Sequence, residues 1–176
     1  MSDSDARVAA VLAPHIPRPV LEWRPLREGD IAYVAALEAQ IHAVPWTIGN
    51  FRDALAAGYS ARVGERECRI VAYGVLMLTP GEAQILNLSV VPDTRRQGLG
   101  RELLRRFIDD ACRLSAEQIF LEVRASNAAA IALYEVEGFA SVARRVGYYP
   151  GITSDAPRED ALVMRRALRG QSPLQR

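Results

Sequence analysis

The sequence predicts an α/β fold, a mixed and mostly antiparallel sheet with helices on both faces, and three observations carry that prediction. Three β-type segments follow one another from Ser60 to Val91 with few residues between them. After them the pattern alternates helix, strand, helix, strand, which requires layers of helix over sheet. Ahead of them a stretch of helical period, Glu28 to Ala43, supplies a helix for the other face. At 176 residues the chain has room for one hydrophobic core and, with it, one active site.

Each element has a local cause. Residues 1–19 open with Met1-Ser2-Asp3-Ser4-Asp5 and are then broken by Pro14, Pro17 and Pro19, so they read as a flexible N-terminal arm. The folded domain is expected over 20–168, with 169–176 as a C-terminal tail. Val20 to Leu26 reads as an entry strand, and Ile31, Val34, Ala35, Leu37 and Ile41 mark the apolar face of the helix after it. Pro45-Trp46 interrupts that helix, and Thr47 is placed to cap a second, short one through Phe51 and Leu55. The strands Ser60 to Arg66, Arg69 to Thr79 and Ala83 to Val91 form an antiparallel meander, with Pro80-Gly81 turning the last pair. From Gly98 to Leu114, Leu103, Leu104, Phe107, Ile108 and Ala111 share one side of a helix, with Arg101, Glu102, Arg105, Arg106, Asp109 and Asp110 largely on the other. Gln118 to Arg124 is a strand, Asn127 to Glu137 a helix stopped at Gly138, and strands resume at Phe139 and near Ala161 to Arg165.

Composition narrows the function. With 22 Lys and Arg against 21 Asp and Glu, there is no global basic field to hold nucleic acid or an anionic membrane. Cys68 and Cys112 lack metal-ligand spacing and read as small buried apolar residues in a reducing compartment; His15 and His42 complete no site, so no metal is expected. The apolar run Val8 to Ala13 is too short, and too soon broken by Pro14, to be a secretory core or a membrane span. A cytoplasmic protein is the expectation.

The most specific local feature is Val90-Val91-Pro92-Asp93-Thr94-Arg95-Arg96-Gln97-Gly98-Leu99-Gly100, a strand running through a proline into a glycine-bearing loop that opens a helix. Pro92 cannot donate to a ladder, so pairing should fail there. Gly98 and Gly100 present no side chain, and the amides of Arg96, Gln97, Gly98, Leu99, Gly100 and Arg101 can converge on a pyrophosphate at the positive end of the helix. By itself a G-x-G is equally well explained by tight packing at a strand-to-helix junction. There is no G-x-x-x-x-G-K-[ST], and Gly98-Leu99-Gly100-Arg101-Glu102-Leu103 lacks the third glycine of a dinucleotide fingerprint, so ATP and NAD recede.

Arg95-Arg96-Gln97-Gly98-Leu99-Gly100 resembles the acetyl-coenzyme A motif R/Q-x-x-G-x-G/A of the GNAT superfamily of N-acetyltransferases. The resemblance implies acetyl-coenzyme A as cosubstrate and a strand before the loop splayed from its neighbour by a bulge, with Leu88, Ser89 and Val90 pairing to the pantetheine arm.

A second informative run is Leu121-Glu122-Val123-Arg124-Ala125-Ser126-Asn127-Ala128-Ala129-Ala130-Ile131-Ala132-Leu133-Tyr134. Strand alternation sets Ile119, Leu121 and Val123 against Phe120, Glu122 and Arg124. Glu122 is thus a mid-strand carboxylate, either functional or ion-paired with Arg124 or another arginine. Asn127 or Ser126 can cap the helix. Tyr134, seven residues after Asn127, shares its helix face and could equally be a half-buried packing residue.

This run, together with Pro45-Trp46, Asn87-Leu88-Ser89-Val90, Tyr148-Tyr149-Pro150 and Glu159-Asp160-Ala161-Leu162-Val163-Met164, resembles the bacterial RimI-type ribosomal-protein alanine N-acetyltransferases over about Leu21 to Met164. That narrower resemblance implies Glu122 as general base, Tyr134 as general acid, Asn127 bonded to the pantetheine arm, and the N-terminal alanine of a small-subunit ribosomal protein as acceptor. Acidic groups near the acceptor would suit its basic tail, with Glu22, Glu38 and Glu82 as contributors. Two other readings share the coenzyme: a small-amine N-acetyltransferase, and a non-catalytic coenzyme-binding module.

Overall fold

The computed structural model describes residues 20–151 and 156–168, and its centre is the expected antiparallel meander. Strands β2 (Ser60–Arg66), β3 (Arg69–Thr79) and β4 (Glu82–Val90) pair in sequence, with β1 (Leu21–Pro25) on the outer edge of β2. Beyond β4 come β5 (Gln118–Arg124), β6 (Ala140–Tyr149) and β7 (Glu159–Ala167), giving seven strands in the order β1-β2-β3-β4-β5-β7-β6. Only the β4–β5 step is parallel. The arm expected over 1–19 and the tail over 169–176 lie outside the described residues.

Helices cover both faces. On one side α1 (Ile31–Ile41) and α2 (Ile48–Ala56) bury Ile31, Val34 and Phe51 against Val63, Tyr73 and Val75. Thr47 caps α2 as its spacing predicts: its hydroxyl accepts from the Asn50 amide at 3.3 Å, while Asn50 Oδ1 accepts from the Thr47 amide at 2.8 Å. On the other side α3 (Leu99–Arg113) and α4 (Ala128–Val136) bury Leu103, Leu104, Phe107 and Tyr134 against Leu76, Ile85, Ile119, Leu121 and Met164. Phe107 is fully enclosed, and truncation to alanine there would cost about 3–5 kcal/mol. Gly74 makes the close approach of α3 to β3 workable, since a Cβ at that position would lie 2.6 Å from the Asn87 carbonyl oxygen and 2.9 Å from the Phe107 ring.

Two side chains depart from the sequence reading. Asp110 is buried rather than on the solvent side of α3, because Arg62 of β2 clasps it through two bonds of 2.7 Å, with Ser60 and Arg113 also paired to it. Cys68 and Cys112 are both exposed, not buried. Cys68 shares the two-residue β2–β3 turn with Glu67; their φ angles of +59° and +49° are those of a type I′ hairpin, whose side chains stand clear of the sheet. No helix among the described residues is long and apolar enough to cross a membrane.

One irregularity prepares the site. In the β3–β4 ladder Leu76 faces Ile85 but Val75 faces Asn87, so Leu86 is an extra residue in β4. Before this bulge Ala83 and Ile85 point to the α3 side. After it Asn87 and Ser89 point to α1, and Leu88 packs toward α3. The β4–β5 pairing meanwhile ends at Ile85 opposite Leu121. From there the two parallel strands diverge, and a wedge opens between them.

Candidate active site

The wedge widens into a cleft of about 440 Å³ lined on one wall by Ile85 to Ser89 of β4 and on the other by Leu121 to Arg124 of β5. His42 to Trp46, from the α1–α2 connection, close one end; Glu38, Asn50, Asn127, Tyr134 and Tyr149 complete the lining. Glu122 and Tyr134, chosen from sequence twelve residues apart, therefore share one cavity with the opened strand.

The backbone of β4 offers the wedge specific groups. The Val91 amide donates to the Val71 carbonyl at 2.9 Å, which fixes the phase of the ladder. Alternation then turns the N–H and C=O of Val90 and Leu88 away from β3, toward β5, while those of Ser89 stay in the β3–β4 ladder. This corrects one expectation: Ser89 presents its side chain, not a free backbone edge.

The strand leads into the glycine-bearing loop. A single turn of 3-10 helix, Pro92–Thr94, follows the strand, and α3 begins at Leu99. Gly98 is the helix N-cap at φ +86°, a left-handed conformation, and Arg96 lies at φ +62°. Among the described residues, the amides of Arg96, Gln97, Gly98, Leu99, Gly100 and Arg101 have no backbone acceptor. These amides are donors at the positive end of a helix of fifteen residues. Leu99 is buried against Val71, Ala72 and Val90 and anchors the loop. Arg95 Nε donates to the Val90 carbonyl at 3.2 Å, Arg66 holds the Gln97 side chain at 2.8 Å, and Arg101 pairs with Glu137 at 3.2 Å. A Cβ on Gly100 would meet Val90 and Leu133 at 3.5 and 3.6 Å, ordinary contact.

On the opposite wall the alternation of β5 is as expected, with Ile119, Leu121 and Val123 buried. Glu122 does not pair with Arg124. Its Oε1 lies 3.2 Å from Nε of Arg145 on β6, and the carboxylate holds the Tyr148 phenol above its ordinary range, with burial adding to the effect. Arg124 instead pairs with Glu159 at 3.0 Å, donates to the Pro150 carbonyl at 3.2 Å, and lies over the Tyr149 ring at 4.5 Å. Asn127 caps α4, accepting from the Ala130 amide at 3.2 Å; Ser126 uses its own amide to reach Glu159.

Tyr134 is buried, packed on Phe139, and its pKa is pushed up to about 12 by that burial, with a smaller contribution from Tyr149. Tyr149 is likewise raised to about 12, by burial first and by the Glu122 charge second. Both phenols are protonated at neutral pH and can donate. Of the acidic residues considered for the acceptor end, Glu38 lines the cleft, whereas Glu22 belongs to edge strand β1 and Glu82, bonded to Gln118, to the far end of β4. Sequence reasoning did not single out Tyr149, His42 or Asn50 as lining residues; the tyrosine pair was the signal that could have pointed to the first.

The Acetyltransferase (GNAT) family model matches residues 24–139. The [Ribosomal protein bS18]-alanine N-acetyltransferase of Escherichia coli (strain K12) is 39% identical over 139 residues, 79% of this chain and 92% of that protein. Its counterpart of the same name from Salmonella typhimurium is 37% identical over 135 residues, 77% of this chain and 89% of that protein. The crystal structure of the Escherichia coli ribosomal-protein-S18-alanine N-acetyltransferase superposes with a TM-score of 0.80 at 34% identity, covering 89% of this chain and 99% of that one.

Proposed function

The chain belongs to the GNAT acetyltransferase family and is an N-acetyltransferase, and from that premise we propose that it moves the acetyl group of acetyl-coenzyme A to the N-terminal alanine of a small-subunit ribosomal protein. The observation that carries the chemistry is the meeting of three features in one cleft: the edge of Leu88 that no strand pairs, the Glu122 carboxylate and the Tyr134 hydroxyl. The acceptor is supported by the names and coverage of the two relatives and by a cleft whose far end is walled by the α1–α2 connection and Tyr149.

Bound in the cleft, acetyl-coenzyme A would supply a thioester carbonyl open to amine attack and a thiol as leaving group. The amides of Arg96 to Arg101 grip the pyrophosphate, and the Leu88 and Val90 edge holds the pantetheine arm alongside Asn127. Glu122 takes the proton that the attacking amine must lose, directly or through water. An α-amine has an unperturbed pKa of about 7.7–8.0, against about 10.4 for lysine, so a carboxylate base suffices for the first and is mismatched to the second. Tyr134, kept protonated by burial, gives its proton to the departing sulfur. The Val90 amide, turned away from β3, would bond the carbonyl oxygen as negative charge gathers on it.

Mass spectrometry of peptides incubated with the protein and acetyl-coenzyme A tests the proposal. A peptide beginning with alanine and continuing with basic residues should gain one acetyl group on its α-amine. The same peptide with a blocked N-terminus and free lysines should gain none. Equal labelling of the blocked peptide rejects the assignment, and faster turnover of small amines favours the small-amine reading instead.

A further inference from the structure

A carboxylate in the cleft wall, Glu38 of α1, takes no part in these proton transfers, yet it is 2% exposed. Burying a carboxylate is costly unless its lone pairs are occupied, and here they are. Oε2 accepts from the Tyr73 hydroxyl at 2.6 Å and from Ser89 Oγ at 3.4 Å. Oε1 accepts from Asn87 Nδ2 at 2.9 Å and from the Trp46 amide at 3.4 Å. His42 extends the set, its Nε2 lying 2.8 Å from Ser89 Oγ. One side chain thereby joins α1, the α1–α2 connection, β3 and the bulged half of β4.

We propose that Glu38 is a positioning residue for acetyl transfer: it locks the register of β4 beyond the Leu86 bulge and ties the acceptor-side wall at Trp46 to it. The proposal rests on the reading of this cleft as the site of transfer. Past the bulge, β4 has a ladder on one edge only, so its register depends on β3 and on its side chains. A slip by one residue would bring Leu88 and Val90 toward Glu38 in place of Asn87 and Ser89, leaving a buried carboxylate short of donors. The same slip would replace the free edge of Leu88 and Val90 by that of Ser89. Register and reactivity are therefore fixed by the same bonds. Gln in place of Glu38 can keep most of them, because the Tyr73 and Ser89 hydroxyls can reverse and accept; Leu can keep none.

The test compares the wild-type protein with Glu38→Leu, Glu38→Gln and Asn87→Ala by steady-state kinetics on the alanine peptide, calorimetry with coenzyme A, and amide hydrogen exchange. Glu38→Leu should lower kcat/KM by about thirtyfold, through both kcat and acceptor KM, with coenzyme A affinity changed by less than about threefold. Glu38→Gln should recover to within about fivefold of wild type, and Asn87→Ala should show a loss of only a few fold in the same direction. Exchange in Glu38→Leu should accelerate over 85–91 and 43–47 and not over 99–113; for Asn87→Ala a smaller acceleration is expected over 85–91. The exchange readout needs no turnover, so a wild-type protein inactive on the peptide fails the acceptor reading while this result stands by itself. Unchanged exchange over 85–91, wild-type kinetics in a folded Glu38→Leu protein, or a Glu38→Gln protein as impaired as Glu38→Leu each overturns the proposal. Should Glu38→Leu fail to fold, unaltered kinetics and exchange in Asn87→Ala do so.

Discussion

The coenzyme side of the cleft is one continuous stretch, Leu88 to Arg101, and what it offers is backbone: the outward edge of Leu88 and Val90 and the unpaired amides from Arg96 to Arg101. The acceptor side is made of side chains drawn from α1, the α1–α2 connection, β5, α4 and the end of β6, with Glu38 and Tyr149 separated by more than half the chain. Amides are common to almost every residue, so the first region tolerates side-chain changes and is sensitive to backbone conformation. Each group in the second region is chemically particular, so single atoms should matter there.

The largest effect expected follows from removing one such atom. Tyr134→Phe keeps the ring against Phe139 but deletes the only proton it can give, and kcat should fall by roughly 10²–10⁴-fold, with coenzyme A affinity by calorimetry nearly unchanged. A comparable loss of coenzyme binding would break the separation of the two regions.

Glu122→Gln should lower turnover by about 10²-fold at neutral pH, and the deficit should shrink as pH rises through about 8, where more of the amine arrives neutral. A pH–rate profile checks this. Tyr134→Phe should show no such recovery, because alkaline solution supplies no acid. If neither variant is impaired on an α-amine, both residues are structural.

On the coenzyme side the sensitive atom is one that must not be added. Gly98→Val forces a β-branched residue to φ +86°, a strain of about 1–3 kcal/mol, and coenzyme A affinity should drop about tenfold or more. Arg95→Ala, by contrast, leaves the amides in place and should weaken binding by less than about fivefold. Equal losses from the two would show that the site depends on side chains after all.

The smallest effect concerns neither wall. Burial by itself would raise the Asp110 pKa, but the bonds and charge of Arg62, together with the Ser60 hydroxyl and the Arg113 charge, outweigh it and hold the carboxyl below the ordinary range. A depressed carboxylate stabilises the fold above its unfolded pKa, about 3.9, and that contribution is lost as pH falls through the folded value. Thermal melts of Asp110→Asn should therefore show a deficit of about 1 kcal/mol at neutral pH that narrows below about pH 4, with turnover on the peptide unaltered.

The sequence by itself determined the elements and the loop proposed for the coenzyme. Periods of 2 and 3.6, Thr47, Pro92 and the Gly98 to Gly100 spacing are local, and a backbone site made of consecutive residues needs only local geometry, so Arg95 to Gly100 could be read directly. Glu122 and Tyr134 were legible for a related reason, since strand and helix lie next to each other in the chain. Tertiary structure alone decided the partners. Glu122 faces Arg145 of β6, across the intervening β7, rather than its neighbour Arg124, which Glu159 of β7 takes instead. Asp110 is buried because Arg62, forty-eight residues earlier, covers it. Cys68 is exposed because a two-residue turn turns it outward without any glycine to announce the bend. Glu38 belongs to the cleft only once a bulge at Leu86 has rotated Asn87 and Ser89 toward it; the apolar phase of β4 does switch from Ala83 and Ile85 to Leu86, Leu88 and Val90, but that switch names no partner for Asn87 and Ser89, which only the packing of α1 supplies.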